Sequence, residues 1–190
     1  DDEGTQTPAA TGTSAPTQQP TGTATAEGTQ TPATEQQEGI TDTEIILGSH
    51  FVQTGTYGAA FSPVLSGMQA YFKYVNEEKG GVCNRDIVLK AEDDQYDPAK
   101  AVEVTRRLVE QDHVFAMLGA LSEIAHPATW EFLNERGVPD LLASAGGARF
   151  GADPCGHPWT IQMIPSYRID GTFLGQYISE YHPGKTVAVL

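Results

Sequence analysis

The chain has 190 residues, 25 acidic against 11 basic, and a formal net charge of −14. An acid excess of this size repels phosphate backbones, which excludes nucleic acid as a partner. No apolar run approaches the roughly 20 residues needed to span a bilayer.

Composition changes sharply along the chain. Residues 1–39 hold no Lys, Arg or aromatic side chain and consist almost wholly of Thr, Ala, Gly, Pro, Gln and acids. Such a stretch buries too little apolar surface to offset its ordering entropy, so it reads as a disordered linker. Glu3-Gly4-Thr5-Gln6-Thr7-Pro8-Ala9 recurs as Glu27-Gly28-Thr29-Gln30-Thr31-Pro32-Ala33, an echo that suits a spacer.

From residue 40 strands alternate with helices. Residues 44–51 (EIILGSHF) form a short apolar run ending in polar residues, a buried strand. Ser62-Pro63 is expected to cap and open a helix whose apolar face is Val64, Leu65, Met68, Tyr71, Phe72 and Val75. Gly80-Gly81 ends it. Residues 86–92 form the second strand, and Asp97-Pro98 opens the second helix. A third strand is expected at 114–119, a helix over 124–136 closed by Gly137, and a fourth strand at 140–144. A Gly-rich loop through Gly146, Gly147 and Gly151 leads to a fifth strand at 159–164. The last helix covers 167–181 and ends at His182-Pro183-Gly184. A sixth strand is expected at 186–190, so the chain reads as part of a longer protein. This alternation predicts an α/β fold with a doubly wound, mostly parallel sheet covered by helices.

Ligands of open α/β sheets sit at the carboxyl ends of the strands. Ser122, the Ser144–Gly147 turn and Tyr57 converge on that edge, and His50 lies on it too. Glu92, Asp93, Asp94 and Asp97 match no calcium-loop spacing, and Asp97 is accounted for as a helix cap. The five histidines show no metal-ligand spacing, so neither metal nor cofactor is expected. Catalysis has no support. Gly119-Ala120-Leu121-Ser122-Glu123 lacks the closing glycine of a nucleophile elbow, and no phosphate loop or dinucleotide fingerprint is present. Cys83 and Cys155 are the only cysteines, and their number leaves one disulfide open.

An ordered set of segments resembles the solute-binding proteins of branched-chain amino-acid ABC importers, with their type I periplasmic fold. The set comprises Thr54-Gly55-Thr56-Tyr57-Gly58, the helix end at 74–82 with Asn76-Glu77-Glu78-Lys79-Gly80-Gly81, Glu92-Asp93-Asp94-Gln95-Tyr96-Asp97-Pro98 with the helix at 102–109, Leu118-Gly119 with Ser122, Leu133-Asn134-Glu135-Arg136-Gly137-Val138-Pro139, the stretch 144–150, Pro158-Trp159-Thr160, and Pro165-Ser166-Tyr167-Arg168. The resemblance covers essentially all of 40–190. It implies two lobes closing on a ligand, with 40–165 as the first lobe and 166–190 as the start of the second.

The resemblance also implies an extracytoplasmic receptor that binds a small amino acid or carboxylate without chemistry and delivers it to an importer permease. The sensor domain of a signalling receptor is the alternative. Ser122 is then expected to hold a ligand carboxylate, the Ser144 carbonyl a ligand ammonium, and Tyr57 to flank the ligand. Leu121, Ala145 and Gly146 complete the expected site. Gly146 stands where amino-acid-binding members often carry threonine, so one expected contact to an amino acid is missing, which leaves room for another small carboxylate. The tail resembles the spacer after a lipoprotein anchor, so membrane contact is expected only through a lipid.

Overall fold

The computed structural model describes residues 37–188. The expected linker, apart from its last three residues, lies outside them. Ten elements follow in chain order: β1 (Glu44–Phe51), α1 (Gly58–Lys79), β2 (Asp86–Asp93), α2 (Pro98–Glu110), β3 (Ala116–Leu118), α3 (Pro127–Arg136), β4 (Asp140–Ala143), a 3₁₀ turn (Ala148–Gly151), β5 (Thr160–Gln162) and α4 (Tyr167–Tyr181). The five strands form one sheet in the order β2-β1-β3-β4-β5, every pairing parallel.

Parallel neighbours need crossovers, and right-handed crossovers in both directions from β1 put α1 on one face and α2 and α3 on the other. The second face holds the main core. Leu108 of α2, Met117 of β3 and Leu133 of α3 are fully buried there, with Val104, Val109 and Val114 around them. Each large side chain removed from water at this face contributes about 1.5–3 kcal/mol. On the other face α1 is tied to β2 through Asn76. Its Oδ1 accepts from Ile87 N at 2.9 Å and its Nδ2 donates to Ile87 O at 3.0 Å.

Local chemistry explains the boundaries. Asp97 caps α2 by accepting from Lys100 N at 2.9 Å, with Pro98 in the first turn. Gly80 and Gly137 end α1 and α3 with left-handed φ of 72° and 65°.

Three expectations are corrected. Helix α1 begins at Gly58 rather than at Ser62-Pro63, and Pro63 lies inside it. Tyr57 O accepts from both Ala60 N and Phe61 N, so the turn at Gly55–Gly58 nucleates the helix one turn early. Helix α3 begins at Pro127, not at 124, because a proline without an N–H cannot carry the ladder back across itself. The expected sixth strand is absent from 186–188, and its last two residues lie outside the described part. A strand exists only by pairing, and no strand among the described residues pairs with this stretch.

Candidate functional site

From β1 the chain crosses to β2 on one side and then, through α2, to β3 on the other. The loops leaving the carboxyl ends of β1 and β3 therefore diverge to opposite faces and open a crevice between them, the position where ligands enter doubly wound sheets. Phe51 still bridges to Leu121 beyond the end of β3, so the two strand ends are held together at the crevice mouth.

A cavity of about 270 Å³ lies on this edge, lined by Phe61 and Val64 of α1, Tyr96, Leu121, Ser122, Glu123, Ser144, Met163, Ile164 and Tyr167. Leu121, Ser122 and Ser144 of the expected site are thus brought together. Ser122 is buried, and its Oγ accepts from Ala125 N at 2.7 Å, capping the turn ahead of α3. The hydroxyl proton stays available as a donor. Tyr96 reaches the same turn, its Oη accepting from Glu123 N at 3.4 Å. An apolar trough of about 460 Å³, lined by Met68, Tyr71, Phe72, Leu118 and Leu142 among others, shares Val64, Ser144 and Met163 with the cavity.

A bulge positions Ser144. The β4–β5 register shifts between Leu141 and Ala143, and Leu142 takes a φ of 57°. The extra residue kinks the end of β4. Ser144 N then donates to Ala120 O at 2.9 Å, joining the β4 end to the turn that carries Ser122.

The other expected residues take different places. Tyr57 does not line the cavity. It stands half-exposed ahead of α1, with its ring 4.7 Å from that of Tyr96. Ala145 and Gly146 are buried behind the wall. Ala145 O accepts from the Gln162 amide, and Gly146 O accepts from Tyr167 N at 2.8 Å. Space over Gly146 is filled by Tyr167, since a Cβ there would lie 2.2 Å from the ring. Sequence reasoning passed over Tyr96, Phe61, Met163 and Tyr167 as site residues. Tyr96 alone carried a signal, its place at the carboxyl end of β2.

The acidic cluster is accounted for by pairing within the chain. Glu92 meets Arg107 at 2.7 Å, Asp94 meets His50 at 2.7 Å, and Asp97 caps α2. Asp93 binds the loop after β1, accepting from Gln53 N at 2.9 Å, Thr54 N at 3.3 Å and the Thr54 hydroxyl, and from Gln95 N at 3.0 Å. Desolvation raises its pKa, but these donors outweigh it and hold the carboxyl below its ordinary value. A depressed folded pKa adds stability above the unfolded value, and that stability is lost as pH falls through the folded one. Thr54→Val is therefore expected to raise the Asp93 pKa in a carboxyl NMR titration. It should also lower stability near neutral pH, with the difference vanishing once Asp93 is protonated in both proteins.

Behind the site lies a buried polar layer. His50 and Asp94 are fully buried, with Nδ1 donating to Oδ2 at 2.7 Å. The His50 ring stacks 5.7 Å from His126, and His126 Nε2 lies 3.0 Å from Asp140 Oδ2, at an angle outside a hydrogen bond. His50, expected to face the cleft, instead supports it from beneath.

The two cysteines are free and exposed. Cys83 precedes β2 and Cys155 precedes β5, at opposite edges of the five-stranded sheet. The described structure does not bridge them.

Comparison with known proteins fits this geometry. No curated protein matches the chain significantly. Among solved structures, a fatty acid ABC transporter substrate-binding protein from Thermomonospora curvata is 26% identical over 77% of the chain, with a TM-score of 0.66. The branched-chain amino acid transporter substrate-binding protein LivJ from Streptococcus pneumoniae, in complex with isoleucine, is 25% identical over 73%, with a TM-score of 0.64. A possible leucine/isoleucine/valine-binding protein from Rhodopirellula baltica shares the fold, at 17% identity over 79% and a TM-score of 0.67. The chain spans 36% of the length of the first of these and 38% of the other two. The family model described as periplasmic binding protein matches residues 44–190. The chain thus belongs to the periplasmic binding protein family, with the type I fold of ABC transporter substrate-binding proteins.

Proposed function

We propose that this chain carries the first lobe of an extracytoplasmic solute receptor that delivers a small carboxylate or amino acid to an ABC importer permease, binding it without turnover. The observation that carries this reading is the cavity at the β1/β3 crossover, where hydroxyl donors meet apolar walls at the strand ends. On this reading residues 40–165 form the first lobe, 166–190 begin the second, and 1–39 act as a spacer from the membrane.

Helix α4 supports the division. Ile169, Phe173, Leu174 and Tyr177 are at least half exposed, an apolar face that a second lobe would cover. The test is a thermal-shift screen of the intact receptor against amino acids, aromatic acids, fatty acids and small dicarboxylates. A ligand that binds only the folded state raises the melting temperature. A clear shift with one class supports the receptor reading. No shift with any class, or turnover of a bound compound, rejects it.

A further inference from the structure

We propose that the outer edge of β2 is a latent self-association surface, and that Asn76 and Gln53 hold it closed against a second copy of this chain. β2 ends the sheet, with β1 on one side and no strand among the described residues on the other. An edge of eight residues offers a row of backbone donors and acceptors to any strand that meets it.

The ladder fixes which groups point outward. Asp86 N donates to Thr43 O at 2.7 Å and Asp94 N to Phe51 O at 3.3 Å, so the even-numbered residues of β2 face β1. Ile87, Leu89 and Ala91 therefore turn their N–H and C=O groups away from the sheet. Asn76 of α1 reaches over this edge and occupies both groups of Ile87, its Oδ1 accepting from Ile87 N at 2.9 Å and its Nδ2 donating to Ile87 O at 3.0 Å. A side-chain amide carries the donor and acceptor of a peptide group, so Asn76 stands where the peptide of a neighbouring strand would. Further along, Gln53 Nε2 donates to Ala91 O at 3.3 Å. Between the two, Leu89 N and O have no partner among the described residues, and Leu89 borders a groove of about 370 Å³ between α1 and β2.

A second β2 is the partner this edge fits. When two copies meet antiparallel about a two-fold axis at Leu89, Leu89 faces its own copy and Ile87 faces Ala91 in both directions. Each outward donor then meets an outward acceptor. The two amides withdraw Ile87 N, Ile87 O and Ala91 O from that pattern, and the Leu89 pair alone is left. The same register sets Asp86 against Glu92, a like-charge contact that opposes pairing and that salt weakens.

The first arm of the experiment is amide hydrogen exchange on the intact, unaltered protein. Ile87 is expected to be protected at least ~10-fold more than Leu89, because one amide is clamped and the other is open. Equal protection of the two overturns the proposal. This arm needs no substitution, so it decides even where a variant unfolds. The second arm is sedimentation velocity, at high salt, of the protein carrying both Asn76→Ala and Gln53→Ala. A reversible dimer is expected, with a dissociation constant at least ~10-fold below that of the unaltered protein, the scale of a few restored backbone hydrogen bonds. Leu89→Pro in the same background deletes an outward donor and no bond of the sheet, and should return the protein to a monomer. A double variant that stays monomeric, or a dimer that survives Leu89→Pro, overturns the proposal.

Discussion

Asp94→Ala will lower the stability of the intact protein by about 2–5 kcal/mol, because it strips the acceptor from two donors, His50 Nδ1 and Tyr96 N, at about 1–3 kcal/mol for each donor left unsatisfied. His50 and Asp94 are both fully excluded from solvent, and the Nδ1 to Oδ2 distance is 2.7 Å. Without the carboxylate, the imidazole keeps a polar N–H in a place water does not reach. The other carboxylate oxygen accepts from Tyr96 N at 2.8 Å, so the same substitution frees the turn that presents Tyr96 to the cavity. Gln95 and Tyr96 hold left-handed φ of 53° and 62°, a conformation that needs that bond. Asp94→Asn separates the effects, because it can still accept from Tyr96 N while losing the charge. Replacing the pair together, with His50→Leu and Asp94→Leu, should recover part of the loss, since apolar substitutes remove the unpaired group. Urea unfolding of the four proteins reads all of this. A loss below about 1 kcal/mol for Asp94→Ala, the worth of an ordinary exposed pair, would show that the layer beneath the cleft is not the structural tie it appears in the geometry.

The scaffold was legible wherever a local signal agreed with the tertiary answer. The apolar run of 44–51 became β1 with the expected limits, and Asp97-Pro98 opened α2 as its cap chemistry dictates. Ser62-Pro63 offered the same signal and misled, because the loop that folds over Gly55–Gly58 starts the helix earlier and carries Pro63 into it. Parallel pairing shortened β3 and β5 relative to their apolar runs, since a strand lasts only as long as a neighbour bonds to it. The bulge at Leu142 had no signature in Asp140-Leu141-Leu142-Ala143, where two leucines give no reason for a positive φ. Of the residues lining the cavity, Ser122 and Ser144 were placed at this edge by strand-end position, and Leu121 came from the resemblance. Tyr167 was not legible, because its approach to Gly146 joins residues 21 apart in sequence through a fold that only the finished sheet defines.

That approach makes Gly146→Thr the sharpest probe of the site. Gly146 is not in the left-handed region, so its backbone accepts any residue and only space forbids one. A Cβ would fall 2.2, 2.3 and 2.4 Å from Cε1, Cζ and Cδ1 of Tyr167, well inside any real contact. The ring cannot simply slide, because Tyr167 N is bonded to Gly146 O at 2.8 Å and Ser166 caps α4 just before it. Overpacking of this kind costs about 1–3 kcal/mol. The ring must swing out of the cavity wall, so ligand affinity should fall by roughly 10-fold or more, as one well-packed aromatic contact is lost. Tyr167→Ala alone should weaken binding without the steric cost. Combined with Gly146→Thr, it should give back most of the lost stability, a coupling that a double-mutant cycle measures directly. Affinity and stability unchanged in Gly146→Thr would mean that Tyr167 stands elsewhere when ligand is bound. The ring would then belong to the moving second lobe rather than to the wall of the first.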